Sequence, residues 1–452
     1  MSAPGLEDNQ LPQVDGAHVI GAHVIGDRGT ELWRRTIPDL FKKTVASFSE
    51  REAAVFFEQG VRWTWSELDR EVDAMAHGLL ALGLTKGDRV GIWSPNRYEW
   101  IMTQFATARL GLILVTINPA YRVTEVEYVL NKVTCKALVT AARFKSSDYI
   151  GMLQELAPEL ADCAPGDLQA LKLPSLSAVI RTGDEETPGM IKFGTLVDGG
   201  RDGEPGALDA ISQTLDPDDA INIQFTSGTT GAPKGATLTH VNIINNGRFT
   251  VAAQKLSATD RLCIPVPLYH CFGMVMGSLG CVATGSTMVF PAEGFDSDSC
   301  LVAISEENCT SVYGVPTMFV GMLQHPEFGN FDFSSLRTGI MAGAPCPIEV
   351  MKQCVSEMNL SEITIAYGMT ETSPVSFQTS DSDPLERRVS TVGRVHPHVE
   401  CKIVDETGNT VEPGIQGELC TRGYSVMKGY WDDPERTAES IDTDGWMHSG
   451  DL

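Results

Sequence analysis

Two hydrophobic rhythms alternate along most of the chain. Over 64–83, TWSELDREVDAMAHGLLALG sets Leu68, Val72, Met75, Leu79 and Leu82 at helical spacing. That is one apolar stripe of a 3.6-residue period. Thr64 and Glu67 carry the pattern of a capping box, and Gly83 supplies a stop. DRVGIW, LILVTI and KALVT are short apolar runs without alternation, as expected of strands buried on both faces. TEVEYVLNKV, between the last two, predicts a helix with a second capping box at Thr124 and Glu127. Further on, INIQF, TSVYGV, RTGIMAG and ITIAYG read as strands, and VNIINNGRFTVAAQ as a helix. Strands alternating with helices predict a mainly parallel sheet with both faces covered.

The rhythm changes three times. GAHVIGAHVIG, 16–26, is a duplicated pentapeptide inside a polar stretch, read as part of a loose leader over 1–30. From Arg181 to Asp219 the chain is acidic and rich in Gly and Pro, which predicts surface loops. After Val389 come short alternating strands with turns at Thr407-Gly408-Asn409 and Pro413-Gly414. The expected organisation is therefore α/β: a first α/β part over 31–219, a second over 220–388, and a small β-barrel-like part over 389–452. The uncharged run 272–290, FGMVMGSLGCVATGSTMVF, is long enough to span a membrane. Its Gly, Ser and Thr content favours instead a buried helix, a break near Gly285 and a strand.

Composition narrows the function. A net charge of -25 argues against binding nucleic acid or an anionic membrane through bulk electrostatics. A phosphate-bearing small molecule is not excluded, since backbone amides can cradle an anion in an acidic protein. Eleven cysteines, from Cys135 to Cys420, form no C-x-x-C pair and no His-Cys group with metal spacing. They read as reduced thiols. The first residues have neither a basic start nor an apolar core, so they are not a signal peptide. A cytoplasmic address follows, with peripheral membrane contact left open and oligomeric state undetermined.

The sharpest feature is TSGTTGAPKG, directly after the strand INIQF. Gly228, Gly231 and Gly235 let the backbone turn amides inward. Thr226, Ser227, Thr229 and Thr230 add hydroxyls, and Lys234 adds a point charge. A polyphosphate needs this: many donors, small side chains, one cation. The motif is not the ordinary P-loop, because Pro233 precedes the Lys and Gly235 follows it.

This segment resembles the signature of the adenylate-forming, AMP-binding enzymes. PLYHCFG at 267–273, GAP at 343–345, AYGMTET at 366–372, GELCTRG at 417–423, GYW at 429–431 and SGDL at 449–452 follow in that family's order. The closest resemblance is to fatty acyl-CoA synthetases of the medium-chain-like branch. It implies that a carboxylic acid is activated with ATP and Mg²⁺ to acyl-AMP, then passed to CoA as a thioester. It also implies roles. Thr226, Lys234, Thr370 and Glu371 would serve the chemistry, with Glu371 holding Mg²⁺. Tyr367 would stack on adenine beside Ala366, Gly368 and Met369. Gly343, Ala344 and Pro345 would let the base approach the backbone, although GAP alone is an ordinary strand–helix turn. His270, Phe272 and Gly273, with Tyr313, Gly314 and Val315, would line the acyl passage. GELCTRG and GYW read as framing within the small β part.

No acid lies between Tyr269 and Phe290. A substrate ammonium there would stay unpaired, at a cost of roughly several kcal/mol. The acid is therefore expected to be apolar, and the resemblance implies a medium to long chain, with the preferred length left open. The alternatives are an adenylation module that loads a carrier protein, and a nucleotide-binding form with little turnover. Asp451, in the terminal GWMHSGDL, matches the family's ribose ligand, a carboxylate suited to a cis-diol. The family continues past this motif into a small mobile domain. By resemblance, the chain to Leu452 is expected to bind nucleotide and fatty acid but to turn over weakly alone.

Overall fold

The computed structural model describes residues 18–19, 21–226 and 232–452. Two large sheets, a five-stranded small sheet and a two-stranded ribbon, Arg143–Phe144 with Ser147–Asp148, organise them. The first large sheet runs Ile191–Lys192, Ala178–Arg181, Ala137–Thr140, Arg89–Trp93, Ile113–Thr116, Ala220–Thr226, Lys234–Thr239 and Gly429–Tyr430. It is parallel as far as Ala220–Thr226, and antiparallel over the last two strands. The second is parallel from Glu362–Gly368 through Thr338–Ala342, Ser311–Gly314, Arg261–Cys263 and Thr287–Phe290 to Glu52–Phe56. Antiparallel strands close both of its edges. The parallel strands are buried along nearly their whole length, which explains their unbroken apolar runs.

Tyr98–Leu110 and His240–Ala253 are buried on almost every face. The polar residues of the second of these helices are spent on backbone partners. Asn245 Nδ2 donates to Trp33 O at 2.9 Å and Asn246 Nδ2 to Val375 O at 2.8 Å. The helix approaches the π-helical stretch Phe272–Leu279 so closely that a Cβ on Gly247 would lie 2.7 Å from Val275 O. The apolar run 272–290 folds as expected: helix, a break at Gly285 with φ +75°, then the strand Thr287–Phe290. Among the described residues, no helix is long and apolar enough to cross a membrane.

The capping box at Thr64 is present: Thr64 N–H donates to Glu67 Oε2 at 2.8 Å, and Glu67 N–H to Thr64 Oγ1 at 3.2 Å. The second box is displaced. The helix Val123–Lys132 begins two residues earlier than predicted, and Arg122 N–H donates to Glu125 Oε2 at 3.1 Å. The predicted loops from Arg181 to Asp219 contain the helices Phe193–Gly200 and Ala207–Ser212. Phe193, Leu196 and Val197 give the first of these a buried face against Trp65–Ala81, overlooked beneath the Gly-rich composition.

The leader is also corrected. His23–Ile25, in the second pentapeptide copy, pairs antiparallel with Glu400–Lys402 and joins the small sheet with Val399–Val404, Glu418–Gly423 and Met447–His448. Residues 1–17 of the leader lie outside the described residues. Nor do the large sheets divide at 219/220. Glu52–Phe56 crosses into the second, while Lys234–Thr239 stays in the first.

Candidate functional site

Four neighbouring parallel strands of the second sheet deliver motifs at their carboxyl ends. Arg261–Cys263 leads towards PLYHCFG, and Ser311–Gly314 ends at Gly314-Val315. Thr338–Ala342 runs into Gly343-Ala344-Pro345, and Glu362–Gly368 ends with Ala366-Tyr367-Gly368. Open α/β sheets place ligands at this end. Ala342 is the register partner of Ala366, so Gly343-Ala344-Pro345 and Ala366-Tyr367-Gly368 lie side by side. Gly343 has φ +84°, and a Cβ there would come within 3.2 Å of Val315 Cγ1, so a small residue is required.

The last two of the four segments line a cleft of about 860 Å³. Gly343, Ala344, Pro345, Ala366, Tyr367, Gly368 and Asp451 all border it. Val389 to Val392, which carry no family motif in the sequence reading, form another wall. The Tyr367 hydroxyl donates to Asp451 Oδ2, joining residues 84 apart in sequence. Burial raises the Tyr367 phenol above its ordinary pKa, and the Asp451 carboxylate adds to the effect. Asp451 itself is exposed. Its position is set by the backbone: Leu419 N–H donates to Asp451 O at 3.0 Å, and Asp451 N–H to Ser449 Oγ at 3.1 Å.

A second centre forms where the two large sheets meet. Glu371, in the short turn Thr370–Thr372, is only 5% exposed. Its Oε1 accepts from Thr226 Oγ1 at 3.2 Å and from the Tyr430 hydroxyl at 2.9 Å. No hydrogen bond to Oε2 is made among the described residues. Met427 N–H donates to the Glu371 carbonyl at 2.9 Å. Lys234 Nζ lies 4.8 Å from the Tyr430 ring centroid, a cation–π distance. Thr226 and Lys234 are register partners at the loop end of one hairpin. Ser227, Gly228, Thr229, Thr230 and Gly231, between them, lie outside the described residues. Thr370 is buried beside Glu371.

Tyr430 is the residue the sequence reading missed. GYW does not belong to the small β part: Gly429–Tyr430 pairs with Thr237 and Ala236 at the edge of the first large sheet. Nor is it only framing, because its hydroxyl touches Glu371. Burial, with the carboxylate next in size, raises its pKa. The available signal was an aromatic with a polar tip inside a recognised motif.

The acyl-side residues are placed unevenly. His270 is exposed, and desolvation by the protein around its ring lowers the imidazole pKa. Phe272 N–H donates to His270 Nδ1 at 3.1 Å, which leaves the proton of the neutral ring on Nε2. Gly273 packs tightly, and a Cβ there would lie 2.4 Å from Pro267 O. The Phe272 and Tyr313 rings are 5.5 Å apart. Tyr313 is fully buried and its hydroxyl accepts from Gln254 Nε2 at 2.8 Å, so it stands behind Phe272.

The arrangement has relatives. Residues 41–431 match the family described as AMP-binding enzyme. A zebrafish (Danio rerio) protein named medium-chain acyl-CoA ligase ACSF2, mitochondrial, is 46% identical over 434 residues, 95% of this chain and 72% of that protein. The human protein of the same name is 42% identical over 437 residues, 95% of this chain and 71% of that one. Both names carry a mitochondrial address that the sequence reading did not give. Among solved structures, the N-terminal domain of FACL13 from Mycobacterium tuberculosis superposes with a TM-score of 0.77 at 24% identity. It covers 92% of this chain and 96% of that one, a likeness of fold.

Proposed function

This chain belongs to the AMP-binding enzyme family, and from that premise we propose that it activates a medium- to long-chain fatty acid with ATP and transfers the acyl group to CoA. In the first step the fatty carboxylate attacks the ATP α-phosphorus, giving acyl-AMP and releasing pyrophosphate. In the second the CoA thiol attacks the acyl carbonyl and AMP leaves. A carboxylate is already a nucleophile at neutral pH. What the protein must supply is position and charge compensation at phosphorus.

The observation that carries the reading is the joint hold of Thr226 and Tyr430 on Glu371. It sets the first residue of the phosphate motif against a buried carboxylate. Both donors to Oε1 are neutral hydroxyls that orient the carboxylate without pairing it with a cation. This donor set suits a hard divalent cation. Glu371 would hold Mg²⁺, which when bound compensates phosphate charge. Lys234 places a second cation at the same edge, and Thr370 a hydroxyl. The cleft between Gly343-Ala344-Pro345 and Tyr367 takes the flat adenine, and Asp451 accepts from the ribose hydroxyls. His270 Nε2–H is a neutral donor for a carboxylate or acyl oxygen, and Phe272 with Val315 gives the passage apolar walls.

The test has two stages. With Mg·ATP and a medium-chain fatty acid the protein exchanges pyrophosphate into ATP, and with CoA added it forms an acyl-CoA. No exchange with any fatty or aryl acid overturns the activation step. Exchange without thioester formation overturns CoA as the acceptor.

A further inference from the structure

The small sheet gathers three metal-ligand side chains, two from GELCTRG and one about thirty residues later in the chain. Glu418 and Cys420 sit two residues apart on Glu418–Gly423 and therefore face the same side. His448 is the register partner of Cys420 on Met447–His448. Cys420 Sγ lies 3.5 Å from His448 Nδ1, and Glu418 Oε2 lies 2.8 Å from that same nitrogen. One ligand atom from each residue falls within 4.8 Å of the others. The sequence reading, which looked for local Cys-His spacing, passed over this cluster because its members meet only through strand pairing.

We propose that Glu418, Cys420 and His448 form a binding site for a zinc-class divalent cation, separate from the nucleotide cleft. Tetrahedral zinc has bonds of about 2.3 Å to sulfur and about 2.0–2.2 Å to nitrogen or oxygen. Those bond lengths place a bound sulfur and nitrogen about 3.5 Å apart, the separation already present between Cys420 and His448. The oxygen–nitrogen pair would have to open from 2.8 Å to about 3.4 Å. The Glu418 side chain, which is part-exposed, has room to make that adjustment.

A carboxylate also stands beyond the ring, at more than hydrogen-bond distance. Asp442 Oδ2 lies 3.8 Å from His448 Nε2, on the far side of the ring. A ligating imidazole usually donates its other N–H to a carboxylate, which fixes the tautomer and ring plane. Gly450 N–H donates to Glu418 Oε1 at 3.0 Å, leaving Oε2 for the cation. Cys420 is buried against Val404 and Trp446, so one side of the site is dry. A recess bordered by Glu418, His448, Asp405 and Glu406 gives an acidic approach from solvent. On binding, the thiol proton leaves to solvent and a thiolate–metal bond forms. The cation would tie the two strands together three residues before Asp451.

Cobalt(II) is the probe, because a thiolate ligand gives it a sulfur-to-metal charge-transfer band. The 452-residue protein is expected to show that band at one equivalent of cobalt, and zinc is expected to displace it. Cys420→Ser should abolish the band, while Cys163→Ser, at a half-buried thiol elsewhere, should retain it. His448→Gln should weaken zinc at least tenfold in competition with a chromophoric chelator, and should remove the rise in Tm that zinc gives the parent protein. That variant keeps the thiol, so it answers the question if Cys420→Ser fails to fold. No band at stoichiometric cobalt, a band that survives Cys420→Ser, or unchanged zinc affinity in His448→Gln overturns the site.

Discussion

Two carboxylates border the proposed nucleotide region, and they are held in opposite ways. Glu371 is buried, fixed at one oxygen by hydroxyls from residues 226 and 430, and pinned through its carbonyl by Met427 N–H. Asp451 is exposed and touched at its carboxylate by a single phenol, its backbone alone being tied down. The first is preorganised by packing between sheets. The second is placed by a turn and left to water. A group whose surroundings are already paid for in folding acts with little reorganisation, which suits charge that develops during reaction. A group at an open cleft edge suits a partner that must come and go.

The largest expected effect tests the buried member. Glu371→Gln keeps the size and the two hydroxyl partners but removes the charge. Pyrophosphate exchange should fall about 100- to 1000-fold in kcat, the scale seen when a preorganised electrostatic partner is lost. ATP affinity in the absence of Mg²⁺ should change little. Equal loss of binding and turnover would reduce Glu371 to a structural residue.

Next in size is Asp451→Asn. A hydrogen bond to a charged group is worth about 1.5–3 kcal/mol, so nucleotide affinity should fall at least about tenfold. The loss should appear in Kd and KM rather than kcat, because an exposed edge contributes to ground state and transition state alike. A pure kcat effect would erase the distinction between the two carboxylates. Tyr430→Phe then probes the preorganisation itself. It removes one donor from the Glu371 carboxylate, a bond of about 1.5–3 kcal/mol of which Thr226 retains part of the orienting effect, and exchange should slow by up to about tenfold with ATP affinity kept. An unchanged rate would show that Thr226 alone orients the carboxylate.

The two centres differ too in how legible they were. The cleft was readable because Gly343-Ala344-Pro345 and Ala366-Tyr367-Gly368 each end a strong apolar run, and neighbouring parallel strands bring such ends together. Thr226, Lys234 and Glu371 were readable as motifs. Their meeting was not, since it depends on how one sheet faces the other. Tyr430 was missed for the same reason: its strand pairs with Lys234–Thr239, about two hundred residues earlier. Local composition misled where tertiary pairing decided the outcome. The Gly-rich 181–219 stretch hid a helix that needs Trp65–Ala81 to bury its face. The duplicated pentapeptide found its partner in a strand nearly four hundred residues away. Short edge strands with few apolar residues carry little signal of their own.

The smallest effect expected is also the most discriminating. Tyr367→Phe keeps the ring at the cleft wall and deletes only the hydroxyl that donates to Asp451. At a buried site, an orphaned carboxylate would cost about 1–3 kcal/mol or more. Asp451 is exposed, so water can replace the phenol at once. The freed oxygen is then available to a diol, which offsets the lost orientation. Nucleotide Kd, read by calorimetry, should therefore move by no more than about twofold in either direction, within the few tenths of a kcal/mol usual for exposed contacts. A tenfold loss, matching Asp451→Asn, would mean that the phenol positions the carboxylate as firmly as Tyr430 positions Glu371. Both edges of the nucleotide region would then be preorganised, and exposure alone would be a poor guide to which carboxylate is held for work.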